Sequence, residues 1–332
     1  MKGIVTGTTT GIGAELSAWF KRTLCAEDNP YIGITLYHGN RREIEALSTS
    51  GDGSYACRNV QSALDMSSKE SIERFVKSIS IRTETDAISL LILNAGIRAT
   101  RKTVDWDGVQ LNRCRVVNAV ANNYLIKCLV DSDLLSPDVK IVFTGSIMHW
   151  DADHDPFDAR ASTKASSDPT NAAWAKRQYA NSKLALFFLA KQWAVKIPGA
   201  DIRIVNPGMV VTKIFRESQS YGFVTRSREW LSMTTADAVN IMVRWIAVPR
   251  EHQNQVQKSS VIKLPVLYFT PFQAWNILKL HAKAQMLQDV VGHRFLRLHT
   301  TATENYSPLV RDATVETNYG LYIDPSVVAS IE

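Results

Sequence analysis

Short apolar runs alternate with longer amphipathic stretches from the second residue onward, and this alternation leaves few architectures open. Lys2–Thr6, Ile32–Tyr37, Val60–Leu64, Ser89–Leu93, Val139–Thr144 and Ile202–Asn206 are short and rich in Val, Ile and Leu. Strands covered on both faces of a parallel sheet read this way, as near-continuous apolar runs. The stretches between them, among them Ala14–Arg22, Ser71–Thr83, Asn112–Leu135 and Gln178–Lys196, have helical spacing. Strand and helix in regular turn predict an α/β chain built on a doubly wound parallel sheet with right-handed crossovers. With 332 residues, 45% hydrophobic and 21% charged, the chain can bury one large core. The rhythm lapses twice. Met148–Lys176 is polar and rich in Asp, Ser and Ala, which reads as an inserted loop, and beyond about Thr270 the alternation stops. The expectation is one catalytic-type domain over residues 1–250, then a last strand and a C-terminal extension over 251–332.

The first strand runs directly into Thr6-Gly7-Thr8-Thr9-Thr10-Gly11-Ile12-Gly13, and a helical stretch follows. Gly7 permits a tight turn off the strand. Gly11 and Gly13 remove side chains where backbone must approach a pyrophosphate and helix must pack on strand. The helix N-terminus then offers free N–H groups to the anion. Strand before and helix after make this a dinucleotide cradle of Rossmann type, with Gly7, Thr9, Gly11, Ile12 and Gly13 as its cofactor-binding residues.

Of ten tyrosines, only Tyr179 has a lysine four residues on, in Tyr179-Ala180-Asn181-Ser182-Lys183. On a helix this spacing puts both side chains on one face, within reach of a shared ligand. Reducing a carbonyl by hydride needs a proton for the developing alkoxide. A phenol can supply it if a neighbouring ammonium, together with the cationic oxidised nicotinamide, lowers its ordinary pKa of about 10.

The Gly-xxx-Gly-x-Gly spacing, followed by the Tyr-xxx-Lys pair, resembles the short-chain dehydrogenase/reductase family. The resemblance covers about residues 1–250 and adds further positions. Asp65-Met66 after the third strand matches the family's adenine-contacting position, and Asn94-Ala95-Gly96 after the fourth matches its Asn-Ala-Gly turn beside the cofactor. Ser146, at the end of Ile141-Val142-Phe143-Thr144-Gly145-Ser146, matches the serine that polarises the substrate carbonyl. Gly145 stands where a second Ser is frequent, and Thr144 is a competing hydroxyl. Asn118, in Val116-Val117-Asn118-Ala119, matches the helix Asn that supports a proton relay to the Lys, with Asn122 and Asn123 as rivals. Lys183 also takes the family's role of holding the nicotinamide ribose. Pro207-Gly208, with Val210 and Thr212 beyond, matches the turn that leads backbone and a Thr onto the carboxamide.

A cofactor with a free ribose 2′-hydroxyl usually meets an acidic residue near the end of the second strand. Here Leu36-Tyr37-His38-Gly39-Asn40-Arg41-Arg42 offers no carboxylate before Glu43. Asn40, Arg41 and Arg42 are the candidates for that end of the cofactor, and a guanidinium there suits a 2′-phosphate. NADP is therefore expected over NAD, although Thr10 stands where NADP-preferring relatives often carry a basic residue.

Thirty-three positions separate Ser146 from Tyr179, far more than in the family's compact members. The retinol-dehydrogenase-like, WW-domain-oxidoreductase-like and carbonyl-reductase-like members carry insertions at this place. His149, Trp150 and His154 lie in the insertion, and lone histidines in a polar loop are usually solvated. A lid is expected over residues 213–232, where Phe215, Tyr221, Phe223 and Trp230 point to a fairly large apolar carbonyl or alcohol. The formal net charge of +6 is scattered, without the patch that nucleic-acid binding needs. Cys25, Cys57, Cys114 and Cys128 have neither metal-ligand nor disulfide spacing, so no metal and a reducing, cytoplasmic setting are expected. Strand-like sequence begins at Lys2, and no signal peptide is expected. Val261–Leu280 is apolar but broken by Pro265 and Pro271, and reads as a strand and helix before it reads as membrane contact. The polar insertion beside the long helices favours a monomer over a homodimer. The competing reading is a catalytically silent dinucleotide sensor or scaffold. Such relatives lose the Tyr or the Lys, and this chain keeps both.

Overall fold

The computed structural model describes residues 2–24, 35–40, 58–80, 87–98, 101–157, 172–207, 210, 233–247 and 307–325. Six strands form one sheet: β1 (Lys2–Thr6), β2 (Thr35–Asn40), β3 (Arg58–Ala63), β4 (Ile88–Leu93), β7 (Leu135–Thr144) and β8 (Asp201–Val205). Their spatial order is β3-β2-β1-β4-β7-β8, and every pairing is parallel. This is the doubly wound Rossmann arrangement, whose strand order reverses between β1 and β4. Ligands bind outside the carboxyl ends of the strands at that switch point.

Period-two alternation splits the core across the sheet. Ile4 belongs to the cluster on one face and Val5 to the cluster on the other, and both are fully buried. The first face is covered by α2 (Lys69–Ser80), α4 (Ala121–Asp131) and α5 (Ala172–Lys196). The second is covered by α1 (Gly11–Leu24) and α6 (Thr235–Ala247). Helix α2 shows why: Ile72, Phe75, Val76 and Ile79 recur at helical spacing and are all buried.

Several elements depart from the sequence reading. Strand β2 lies further along than expected and ends at Asn40. Strands β5 (Thr103–Trp106) and β6 (Val109–Asn112) form an antiparallel hairpin that was not expected. Its turn is Asp107-Gly108, both at positive φ, the chemistry a two-residue hairpin turn selects. The helix expected over Asn112–Leu135 begins after its cap Asn112, as α3 (Arg113–Arg115), and passes through a π-helical turn at Val116–Val120 into α4. It stops at Asp131 because β7 already begins at Leu135. The inserted loop is shorter than its composition indicated. Ile147–Asp151 form a 3₁₀ turn capped by Ser146, and α5 starts at Ala172.

The end of the described chain returns to the core. Helix α7 (Ala313–Ile323), capped by Asp312, buries Val315, Tyr319, Tyr322 and Ile323 in the same cluster as Ile4. No helix among the described residues is long and apolar enough to cross a membrane. Val261–Leu280 lies outside the described residues.

Candidate active site

The carboxyl ends of β1 and β4 are stitched together beneath the glycine loop. Thr6 Oγ1 accepts from the backbone N–H groups of Asn94 and Ala95, each at 3.0 Å. The Asn94 side-chain amide donates back to the carbonyls of Thr6 and Gly7 at 3.2 and 3.3 Å. Gly7 and Gly11 both have left-handed backbone, with φ of 70° and 64°. Gly13 admits no side chain: an added Cβ would lie 2.1 Å from the Gly7 carbonyl oxygen and 2.4 Å from Asn94 Nδ2. Thr9 is exposed at the loop's crest, Ile12 is half-buried, and α1 begins at Gly11. The first-turn N–H groups of α1, which have no partner inside their own helix, stand at the carboxyl end of β1.

The structure describes only some of the other expected cofactor positions. The Asp65 carboxylate accepts from the Ser67 N–H at 2.9 Å and from the Ser67 hydroxyl at 2.6 Å, so it organises its own turn. The Met66 side chain is buried in the core. At the strand end Asn40 is placed only by its backbone, and Arg41 and Arg42 lie outside the described residues. Pro207 is buried after β8, and Val210 forms a parallel bridge with Met233. Gly208, Thr212 and the lid with Phe215, Tyr221, Phe223 and Trp230 lie outside the described residues.

Two of the four expected catalytic residues, Asn118 and Lys183, meet at Gly96, and the other two, Ser146 and Tyr179, lie beside each other. Helix α5 carries Tyr179 and Lys183 one turn apart, and Lys183 Nζ donates to the Thr144 carbonyl oxygen at 2.8 Å. An added Cβ on Gly96 would be 3.6 Å from both Lys183 Nζ and Asn118 Oδ1. Asn118 sits in the π-helical turn, fully buried. Its carbonyl oxygen Oδ1 accepts from the Ile97 N–H at 2.8 Å. Its amide donates to the Ile97 carbonyl and to Ser182 Oγ, both at 2.9 Å. Asn118 thus locks the loop after Gly96 to the middle of α5.

The rival residues have other partners. Asn122 donates to the Asn118 backbone carbonyl at 2.8 Å, and Asn123 accepts from the Trp193 indole at 3.0 Å. Thr144 directs its hydroxyl at Asn94 Oδ1, 3.4 Å away. Ser146 instead lies beside the Tyr179 phenol, whose pKa it lowers. The Met148 N–H points at Ser146 Oγ from 3.3 Å. Gly145 is a glycine because β8 crowds it: an added Cβ would meet Ile204 Cγ2 at 2.8 Å.

Burial dominates the electrostatics. It pushes the Tyr179 phenol up to about 12, against smaller lowering from Ser146 and from the Arg98 cation. It holds the Lys183 amine down at about 8. Lys183 is not among the groups that lower the phenol in the protein alone. Lys183 turns to the Thr144 carbonyl, and its charged form is itself disfavoured in the dry interior.

Each insertion histidine has one ring nitrogen beside a partner within the chain. His149 is only 4% exposed, with Nδ1 2.7 Å from the Ser146 carbonyl and its ring against Phe187. His154 faces Asp312 at 3.3 Å. No group of metal-ligating side chains exists among the described residues. Sequence reasoning missed Arg98, although it stands two residues after Gly96.

The chain matches no protein-family model and no curated protein. Solved structures do match. The KRED1-Pglu enzyme is 17% identical with a TM-score of 0.50, over 75% of this chain and 97% of that one. The 3-alpha-hydroxysteroid dehydrogenase from Pseudomonas sp. B-0831, complexed with NADH, is 19% identical with a TM-score of 0.49, over 76% and 91%. A short chain dehydrogenase/reductase from Burkholderia phymatum, in complex with NAD, is 14% identical with a TM-score of 0.49, over 74% and 85%. By its strand order the chain has the doubly wound Rossmann-type fold, which the KRED1-Pglu enzyme shares.

Proposed function

We propose that the chain is an NADP(H)-dependent short-chain dehydrogenase/reductase, moving a hydride between the nicotinamide and the carbonyl or alcohol carbon of a fairly large apolar substrate. The observation that carries this reading is the meeting of Asn118 and Lys183 at Gly96, after β4, with Lys183 bonded to the end of β7 and Tyr179 one helical turn before it, beside Ser146.

The residues present fit a dinucleotide. Gly7, Thr9, Gly11, Ile12 and Gly13 form a cradle that a Cβ at Gly13 would close, and the N-terminus of α1 suits the pyrophosphate. Asn94, Ala95 and Gly96 line the middle of the site. Lys183 would hold the nicotinamide ribose, since its ammonium has donors beyond the one given to Thr144. Pro207, Gly208, Val210 and Thr212 would meet the carboxamide, and Asn40, Arg41 and Arg42 the 2′-phosphate. When bound, the cofactor supplies the hydride.

The chain's own groups handle the proton. Ser146 hydrogen-bonds the substrate oxygen and stabilises charge as it develops there. Tyr179 gives that oxygen its proton in reduction and takes it back in oxidation. With its pKa near 12 the phenol holds its proton at neutral pH, and the substrate oxygen takes it as that oxygen becomes more basic in reduction. Asn118 fixes the loop and helix that hold these groups in register, and it supports the relay that returns a proton through Lys183. A panel of ketones and aldehydes, followed by loss of NADPH absorbance, tests the reading. Turnover of an apolar carbonyl is expected, with NADPH preferred over NADH. Binding of neither cofactor would overturn it.

A further inference from the structure

We infer that Tyr319 and Arg115 are positioning residues, which act through helix α7 to fix the catalytic elements relative to one another. The inference rests on the oxidoreductase reading above.

Three elements carry the candidate catalytic groups. Helix α3 and its π-helical turn carry Asn118, the turn after β7 carries Ser146, and α5 carries Tyr179 and Lys183. Helix α7, more than a hundred residues later in the chain, bonds to the segments that carry all three. Arg115 lies one turn before Asn118. Its Nε donates to the Tyr322 carbonyl at 2.7 Å and its terminal nitrogen to the Leu321 carbonyl at 3.0 Å. These are last-turn carbonyls of α7, which have no partner inside their own helix, and a cation there also complements the helix dipole. The guanidinium lies over the rings of Tyr322 and Phe157, 4.6 and 5.1 Å from their centroids.

Tyr319 fastens the other two elements. Its ring stacks on Phe188 of α5 at 5.2 Å. Its hydroxyl donates to the Asp153 carbonyl at 2.9 Å and lies 3.2 Å from Asn181 Oδ1. Asn181 stands between Tyr179 and Lys183 on the opposite face of the helix, and it holds Asp153 by two more bonds. Asp153 in turn accepts from Arg177 at 2.7 Å. Fully buried Tyr319 therefore ties the turn after Ser146 to the helix stretch between the two catalytic side chains.

Apolar burial alone would anchor α7 by Val315, Tyr322 and Ile323. The polar bonds of Arg115 and Tyr319 add direction, and direction is what a reacting geometry needs. A misplacement of about 1 Å from a distant change costs about a hundredfold in rate.

The experiment compares the full chain with Tyr319→Phe, which keeps the stacked ring, and with Arg115→Lys, which keeps the charge. Turnover of a carbonyl found in the panel is expected to fall about tenfold in each, with the KM for NADPH changed less than about twofold. Amides of residues 116–120 and 177–183 are expected to exchange hydrogen about fivefold faster or more in both variants. Unchanged turnover and unchanged exchange would overturn the inference, as would equal losses in kcat and cofactor affinity. If the unmutated chain reduces no carbonyl, the functional reading fails by itself. The exchange measurement then decides the positioning role alone, faster exchange supporting it and unchanged exchange refuting it.

Discussion

The Lys183 ammonium donates to the Thr144 carbonyl oxygen at 2.8 Å, and this bond pins the helix that carries Tyr179 to the end of β7. The same burial that allows the bond keeps the amine near 8, against an ordinary 10.5. Between those two values the unfolded chain binds more protons at this position than the folded one. The contribution of Lys183 to stability is therefore full above 10.5 and falls away as pH drops through 8. Urea unfolding of the unmutated chain and of Lys183→Met, compared from about pH 7.5 to pH 10, checks this. The unmutated chain is expected to gain on the variant across the window, and a constant difference would contradict the assignment.

Gly145 and Ile204 give a packing test. A Cβ at Gly145 would meet Ile204 Cγ2 at 2.8 Å. Gly145→Ser is expected to cost about 1–3 kcal/mol, the usual scale for overpacking. Ile204→Ala in the same chain is expected to relieve most of that cost. A double-mutant cycle reads the coupling, and simple additivity would contradict the contact.

Cofactor choice rests on the strand end. NADP is expected to bind more tightly than NAD, and Arg41→Ala with Arg42→Ala is expected to narrow the gap by about tenfold or more. Equal dissociation constants for the two cofactors in the unmutated chain would contradict the NADP preference.

Much of this was readable in the sequence, because the strands that frame the site are covered on both faces and announce themselves as apolar runs. Five of the six sheet strands overlap the runs closely, while β2 is displaced towards Asn40. The meeting of Asn118 and Lys183 at Gly96 follows from motifs whose spacing is set by local geometry, such as Tyr179 and Lys183 one helical turn apart. The hairpin was missed although Asp107-Gly108 is a strong turn signal, because its strands of four residues are too short to show periodicity. Nothing local could show that α7 returns to α5, since that placement depends on long-range contacts such as Tyr319 with Asp153. The environment of Tyr179 was likewise invisible, because burial is a property of the folded chain.

The face of α5 that meets α7 also bears on assembly. Phe188 is buried under Tyr319, and Lys191 pairs with Glu316, so this surface is already covered within one chain. Packing of a second subunit through it would have to displace α7. Light scattering at micromolar concentration is expected to give the mass of a single chain. A mass of two chains would contradict the monomer.

The central claim is that Tyr179 moves the proton, and Tyr179→Phe tests it most directly. The variant is expected to bind NADPH with a dissociation constant within about twofold of the unmutated chain. Its rate of carbonyl reduction, read by absorbance under single-turnover conditions, is expected to fall by about a hundredfold to ten-thousandfold. A variant that reduces the carbonyl at the unmutated rate would remove Tyr179 from the mechanism.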